Sequence, residues 1–240
     1  MVYVDDAANQ PLIDAYEVVL GSSHTEPMMR AQNEFKTFYQ SQWAYNLNNK
    51  TIDEYFRYGV QRAKPYVRNS LFTMAMRGTG DSAIEGGLGV DAIVTMLEKL
   101  VENQRRIIAE GLEIQDVTTV PQVWCLYKEV QSYQENGLVV PEDITLLWAD
   151  DNWGNIRRMP LRNETDRVGG AGVYYHFDYV GVVRSYKWIN TIQLEKTAEQ
   201  VRFLCHEGGS MPVTDCLRCT WLTPVARNVY GSSTSATSRS

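Results

Sequence analysis

Apolar residues follow two rhythms along this chain. Between Val90 and Glu110 they recur every three or four positions, at Val90, Ile93, Val94, Leu97, Leu100, Val101, Ile107 and Ile108. That spacing predicts an amphipathic helix, with Gly111 as its stop. Elsewhere the apolar residues form short runs that end abruptly in polar ones: Glu17–Leu20, Ser70–Met76, Pro121–Tyr127, Ile144–Trp148 and Gly172–Phe177. Runs of this length predict strands. Further helices are predicted from Pro27 to about Gln42, from Lys128 to Asn136 and from Thr191 to about Leu204. Another runs from Thr51 to about Lys64, with Thr51 and Glu54 as a capping box and Pro65 closing it. Beyond Val201 the pattern fades and predicts no further strand.

Strands that alternate with helices predict a parallel sheet built from βα units. In such sheets chemistry collects at the C-terminal strand ends. Five polar clusters stand at those ends: Ser22–Glu26, Arg77–Asp81, Tyr127–Glu129, Asp150–Asn152 and His176–Tyr179.

Composition narrows the function classes. With 44% hydrophobic and 22% charged residues among 240, the chain has the make-up of a globular protein. A net charge of −6 argues against a polyanion partner, so no nucleic acid is expected. No run of about 18 apolar residues is present, so no membrane span is expected. The N-terminal stretch Met1–Asp6 lacks the basic and apolar regions of a signal peptide. Fourteen Tyr and six Trp outnumber six Phe, a bias towards rings with a polar handle that suits sugar clefts as well as ordinary cores.

Asp81 and Glu129 follow different strands and are expected to face one another across the sheet mouth. Paired carboxyls are the working groups of most glycosidases, although each also fits a helix N-terminus. Arg77, next to Gly78, has the fork to clasp a carboxylate, or to pair with a structural acid. Asp150, Asp151, His176 and Asp178 form a second candidate set, for a metal; for Asp151 a turn carboxylate is the simpler reading. Cys125 sits in an apolar strand and is expected to be a buried thiol. Cys205, His206, Cys216 and Cys219 make only a weak zinc pattern, and neither a metal nor another cofactor is assigned.

The stretches Ser22–Met28, Met76–Asp81, Val123–Val130, Trp148–Arg158 and Gly169–Gly181 together resemble glycoside hydrolase family 115, the xylan α-1,2-glucuronidases, in the wording of fungal members. The resemblance runs from about Tyr3 to Gln200. It implies a TIM-barrel catalytic domain that removes glucuronic acid or its 4-O-methyl ether from glucuronoxylan or its oligosaccharides, with inversion. Inversion needs one carboxyl as acid and one as base, with room for a water. By motif, Glu129 and Asp81 match two essential acids. Glu129 is assigned as general acid and Asp81 as base or water-orienting group, with the exchanged assignment kept open. Arg77 would bind the uronate carboxylate; His24, Tyr127, Asn152, His176 and Tyr179 would line the pocket.

The family's enzymes are several times longer than this chain. The expectation is therefore an α/β chain forming a partial (β/α)8 TIM barrel, incomplete at both ends. Residues 1–200 would be the catalytic-domain fragment. Residues 201–240, ending in the Ser/Thr-rich Ser232–Ser240, would be an aberrant, disordered tail. Unpaired strand edges would leave such a fragment poorly stable, and the alternative to a working glycosidase is a non-catalytic remnant that binds acidic sugars. The parent family works outside the cell. Asn49-Lys50-Thr51 and Asn163-Glu164-Thr165 fit the N-glycosylation pattern.

Overall fold

The computed structural model describes residues 10–84, 87–158, 160, 167–176, 194–207 and 213–215. Six strands form one all-parallel sheet in strict chain order: β1 (Leu20–Gly21), β2 (Ser70–Thr73), β3 (Gln122–Leu126), β4 (Thr145–Ala149), β5 (Ala171–Tyr175) and β6 (Val213–Asp215). The sheet curls as a half-barrel consistent with part of a TIM-like barrel. The helices are α1 (Gln10–Ala15), α2 (Gln32–Tyr39), α3 (Tyr45–Ala63), α4 (Val90–Leu112), α5 (Glu129–Glu135) and α6 (Leu194–Glu207).

The unbroken apolar runs now have a physical reason. Successive side chains point to opposite faces, and both faces are buried. Phe72, Trp124, Leu126, Leu146, Trp148, Val173 and Tyr175 face the helices and share one core with α3 and α4. Leu71, Val123, Cys125, Tyr127, Leu147, Ala149 and Tyr174 form a separate buried cluster on the inner face. The register sets their layers: Val123 pairs with Thr145, Leu126 with Trp148 and Ala149 with Tyr174. Cys125 is a buried thiol in that inner layer.

α4 buries the predicted stripe and runs past Gly111 to Leu112, where Glu113 ends it in the left-handed region. Gly111 is therefore no stop. It lies in the helix where a Cβ would stand 2.6 Å from Val60 Cγ1 of α3, so it permits close approach of the two helices.

Other boundaries differ from the pattern. The helix expected from Pro27 to Gln42 is broken into a 3₁₀ turn, Pro27–Met29, and then α2. Met28 and Met29 both sit at positive φ, 56° and 61°, a conformation invisible to apolar spacing. Arg62 Nη2 donates to Met29 O at 2.6 Å and helps hold the turn. Thr51 is not a cap: α3 begins at Tyr45 after the extended Ala44, bends at Asn48 and continues through Thr51. Pro65 does close the helix, opening a 3₁₀ segment at Lys64–Asn69. α1 was not predicted. Neither was β6, which pairs with β5 (Val173 with Val213) although only three residues carry it.

Gly59 supplies a stability prediction. A Cβ there would lie 2.1 Å from the carbonyl oxygen of Met28. Gly→Ala inside a helix ordinarily stabilises by up to about 1 kcal/mol. Here the clash is with backbone, so Gly59→Ala is expected to destabilise by about 1–3 kcal/mol, as overpacking does. Urea unfolding reads the sign; a raised midpoint would contradict the close approach.

Candidate active site

The end of β2 is turned by a buried amide. Ala75 adopts φ 63°, costly for a residue with a Cβ. Gln104, fully buried on α4, takes both of its backbone groups. Oε1 accepts from Ala75 N at 2.7 Å, and Nε2 donates to Ala75 O at 3.0 Å. The turn delivers Arg77 to the rim, where Trp43 Nε1 donates to its carbonyl at 3.1 Å. The following loop carries two more left-handed residues, Gly80 (φ 65°) and Asp81 (φ 64°). Gln32 ties it to the loop after β1: its Nε2 donates to Gly78 O (3.1 Å) and Thr25 O (3.3 Å), and its Oε1 accepts from Gly80 N (3.0 Å).

After β3, Lys128 adopts φ 51° and ψ −117°, and Glu129 then opens α5. That conformation belongs to glycine and costs a lysine about 1–3 kcal/mol. Its effect is to bring Glu129 back over the sheet end, onto Arg77.

Arg77 joins the two candidate acids. Its Nε and Nη2 donate to Glu129 Oε1 and Oε2 at 2.9 and 2.8 Å, a fork-to-fork pair. Its Nη1 donates to Asp81 Oδ1. The guanidinium is only 3% exposed, whereas the Glu129 and Asp81 side chains are 22% and 38% exposed. The arginine is thus a floor beneath two carboxylates that open towards solvent. Arg77 thus meets the pairing with neighbouring acids that its sequence position also allowed, with Nε, Nη1 and Nη2 all engaged on Glu129 and Asp81.

His24 completes the Asp81 side, with Nε2 2.9 Å from Asp81 Oδ1. Burial, reinforced by the charges of Arg77, His176 and Lys128, pushes its pKa down to about 3. The neutral ring therefore presents an Nε2 proton to Asp81. Because the unfolded chain binds that proton near the ordinary value of 6.5 and the fold only near 3, this group makes stability fall as pH drops through that window. His24→Gln is expected to flatten the acid limb of a melting-temperature profile between pH 6.5 and 4. An unchanged limb would place the acid sensitivity elsewhere.

His24, Tyr127, Tyr174 and His176 pack in edge-to-face and tilted pairs, with ring centroids 4.7 to 5.7 Å apart, and floor the rim. Tyr127 Oη donates to Asn152 Oδ1 at 3.1 Å. Asn152 itself stands at φ 66°. Asp150 is buried beneath it. Its Oδ1 accepts from Asn152 N (3.2 Å), and its Oδ2 accepts from Gly154 N and His176 N (both 3.1 Å). It also pairs with His176 Nδ1.

The other metal candidates resolve as follows. Asp151 shapes the turn: it accepts from Trp153 N, Asn155 N and Asn155 Nδ2. Burial alone would raise its pKa, but those bonds hold it below the usual carboxylate range. Among the described residues no three His, Cys, Asp or Glu side chains converge to hold a metal. Tyr179 and Asp178 lie outside the described residues, as do Cys216 and Cys219 and the side chains of Cys205 and His206.

The structure thus gathers Glu129, Asp81, Arg77, His24, Tyr127, Asn152 and His176 at one rim. Sequence reasoning missed Gln104, Gln32, Trp43 and Tyr174. Gln104 left a readable signal, a polar residue inside the apolar stripe of α4; Gln32 left none.

Comparison with known proteins bears on the same region. A family model described as glycosyl hydrolase family 115 matches residues 1–211. A solved structure, BtGH115A, described as a novel family GH115 4-O-methyl-α-glucuronidase with specificity for decorated arabinogalactans, is 32% identical with a TM-score of 0.77. The match covers 85% of this chain and 27% of that one, so the chain spans about a quarter of the solved relative. No curated protein matches.

Proposed function

We propose that this chain, which belongs to glycosyl hydrolase family 115, carries the catalytic rim of an α-glucuronidase. The reaction would release glucuronic acid, or its 4-O-methyl ether, from glucuronoxylan or its oligosaccharides by inversion. One observation carries the reading: two carboxyl groups from different strand ends meet on one buried guanidinium and both keep an open side. In that reading Glu129 protonates the departing xylose oxygen. Asp81, oriented by His24, activates the water that attacks the anomeric carbon from the opposite face. Tyr127, Asn152 and His176 contact the sugar, the role that the family resemblance also implies for Tyr179. The site works outside the cell, where the polysaccharide is, and needs no cofactor.

The purified protein is incubated with 4-O-methylglucuronoxylan and, separately, with a uronate-decorated arabinogalactan, and the products are followed by proton NMR. Release of the free uronic acid, first as the β-anomer, is the expected result. The α-anomer appearing first would remove the inverting mechanism; release of neutral sugars alone would remove the glucuronidase reading. A preference for arabinogalactan would move the substrate towards that of the solved relative. A second reading, binding of acidic sugars without turnover, is favoured by the fork on Glu129. An acid must carry its proton on an oxygen that Arg77 now occupies. Calorimetric binding of glucuronic acid with no release of product would select it.

A further inference from the structure

The most strained link at the rim places a cation that the two-carboxylate chemistry does not use. Lys128 adopts a backbone conformation suited to glycine, yet its side chain is a lysine directed along the site. Strain at a functional position motivates a search for the role of the strained residue. The lysine side chain is 45% exposed, and its ammonium lies 4.9 Å from the Tyr127 ring centroid and 4.0 Å from Asp81 Oδ2. It stands beside the aromatic floor, next to the carboxylate proposed to handle water.

Charge says what such a cation does. With Glu129 carrying the proton it gives to the leaving group, the negative charge of Asp81 and the positive charge of Arg77 balance. A uronate brings a negative charge next to Asp81 and needs a cation of its own. Arg77 is buried and its Nε, Nη1 and Nη2 are engaged on the two acids. Among the described residues, Lys128 is the cation at these carboxylates that keeps its charge open to solvent. An ammonium is also the suitable group here: a compact charge on a flexible stem can follow a ligand that enters and leaves.

We propose that Lys128 is the specificity-determining residue of the site, pairing with the carboxylate of the sugar and selecting uronates over neutral hexosyl groups. This rests on the glycosidase reading above and replaces Arg77 as the uronate partner. It entails no bond made or broken.

The test uses Lys128→Met, Lys128→Gly and Lys128→Arg in the full chain. Initial rates are measured on an aldouronic acid and on its carboxyl-reduced counterpart, together with melting temperatures. Lys128→Met is expected to raise KM for the uronate about tenfold or more, the size of one ion pair of about 1.4 kcal/mol, with kcat changed far less. Its KM for the reduced substrate should stay the same or fall. Lys128→Arg should restore most of the uronate preference. Lys128→Gly should lose the preference while melting at or above the parent temperature, because glycine relieves the strain. Lower melting temperatures in the Met and Gly variants with an unchanged uronate-to-neutral ratio would overturn the proposal and make Lys128 structural. If the parent chain turns over neither substrate, the glycosidase reading fails, and calorimetry with glucuronic acid decides for Lys128 alone. Binding lost in Lys128→Met supports it; equal affinity in parent and variant overturns it.

Discussion

Glu129→Gln is expected to lower kcat on a glucuronoxylan oligosaccharide by about 10³-fold, at the upper part of what general acid–base catalysis contributes. The reason is local. Glutamine keeps one oxygen for Arg77 but turns an N–H₂ towards a guanidinium that has only donors, so it cannot reproduce the fork on both oxygens. It also has no proton to give the leaving xylose. KM should change much less, because the substrate's contacts lie above the guanidinium rather than on it. A second substrate separates the two carboxyl roles. α-Glucuronosyl fluoride has a leaving group that needs no protonation, so Glu129→Gln should retain most of its rate there. Asp81→Asn should be slow on both substrates, because it loses the base and alters the partner of His24. If Asp81→Asn is the variant rescued by fluoride, the roles are exchanged. If neither substitution lowers the rate, the two acids are not the machinery.

How much of this was legible from the chain differs by element. The four longer strands, β2 to β5, were, because a parallel sheet buried on both faces leaves unbroken apolar runs, and nothing else of that length fits between turn residues; of the run Glu17–Leu20 only Leu20 joins β1, and Val18 and Val19 are exposed. The polar clusters after them were legible for the same reason: a run ends where the sheet ends. Boundaries were lost wherever the backbone enters the left-handed region at an ordinary residue, as at Met28, Met29, Ala75, Asp81 and Lys128. Those conformations are held by distant groups, Arg62 for Met29 and Gln104 for Ala75, which local propensity cannot see. The short β6 failed differently: three residues carry too little pattern, and pairing with β5 defines the strand.

The same distinction applies to the site. Side-chain chemistry pointed to Glu129, Asp81 and Arg77, and the parallel sheet places all three at one end. The partners of Arg77 were not legible, because they turn on which acceptors reach it first. Two of its carboxylate oxygens come from Glu129, 52 positions away, and one from Asp81, four positions away. Local spacing allows the second pair and says nothing of the first.

Asp150 is expected to be the least replaceable residue of the rim for stability. Its side chain is 0% exposed. It receives three backbone N–H groups, from Asn152, Gly154 and His176, and pairs with the His176 ring. Alanine leaves those donors in a space water does not reach, and each orphaned buried group costs about 1–3 kcal/mol. With several donors orphaned together, Asp150→Ala should lose about 3–5 kcal/mol in urea unfolding, a large share of a domain's net stability. Asp150→Asn should lose less: its oxygen still accepts, but its amide N–H₂ meets N–H groups where an acceptor stood. Activity should fall alongside, because the loop that places Asn152 against Tyr127 is held from below by this carboxylate. A lower urea midpoint with an unchanged slope is the expected reading, since the folded and unfolded surfaces stay the same. An Asp150→Ala protein as stable as the parent would mean that the turn after β4 is held by other contacts, and that Asp150 acts on the sugar directly or not at all.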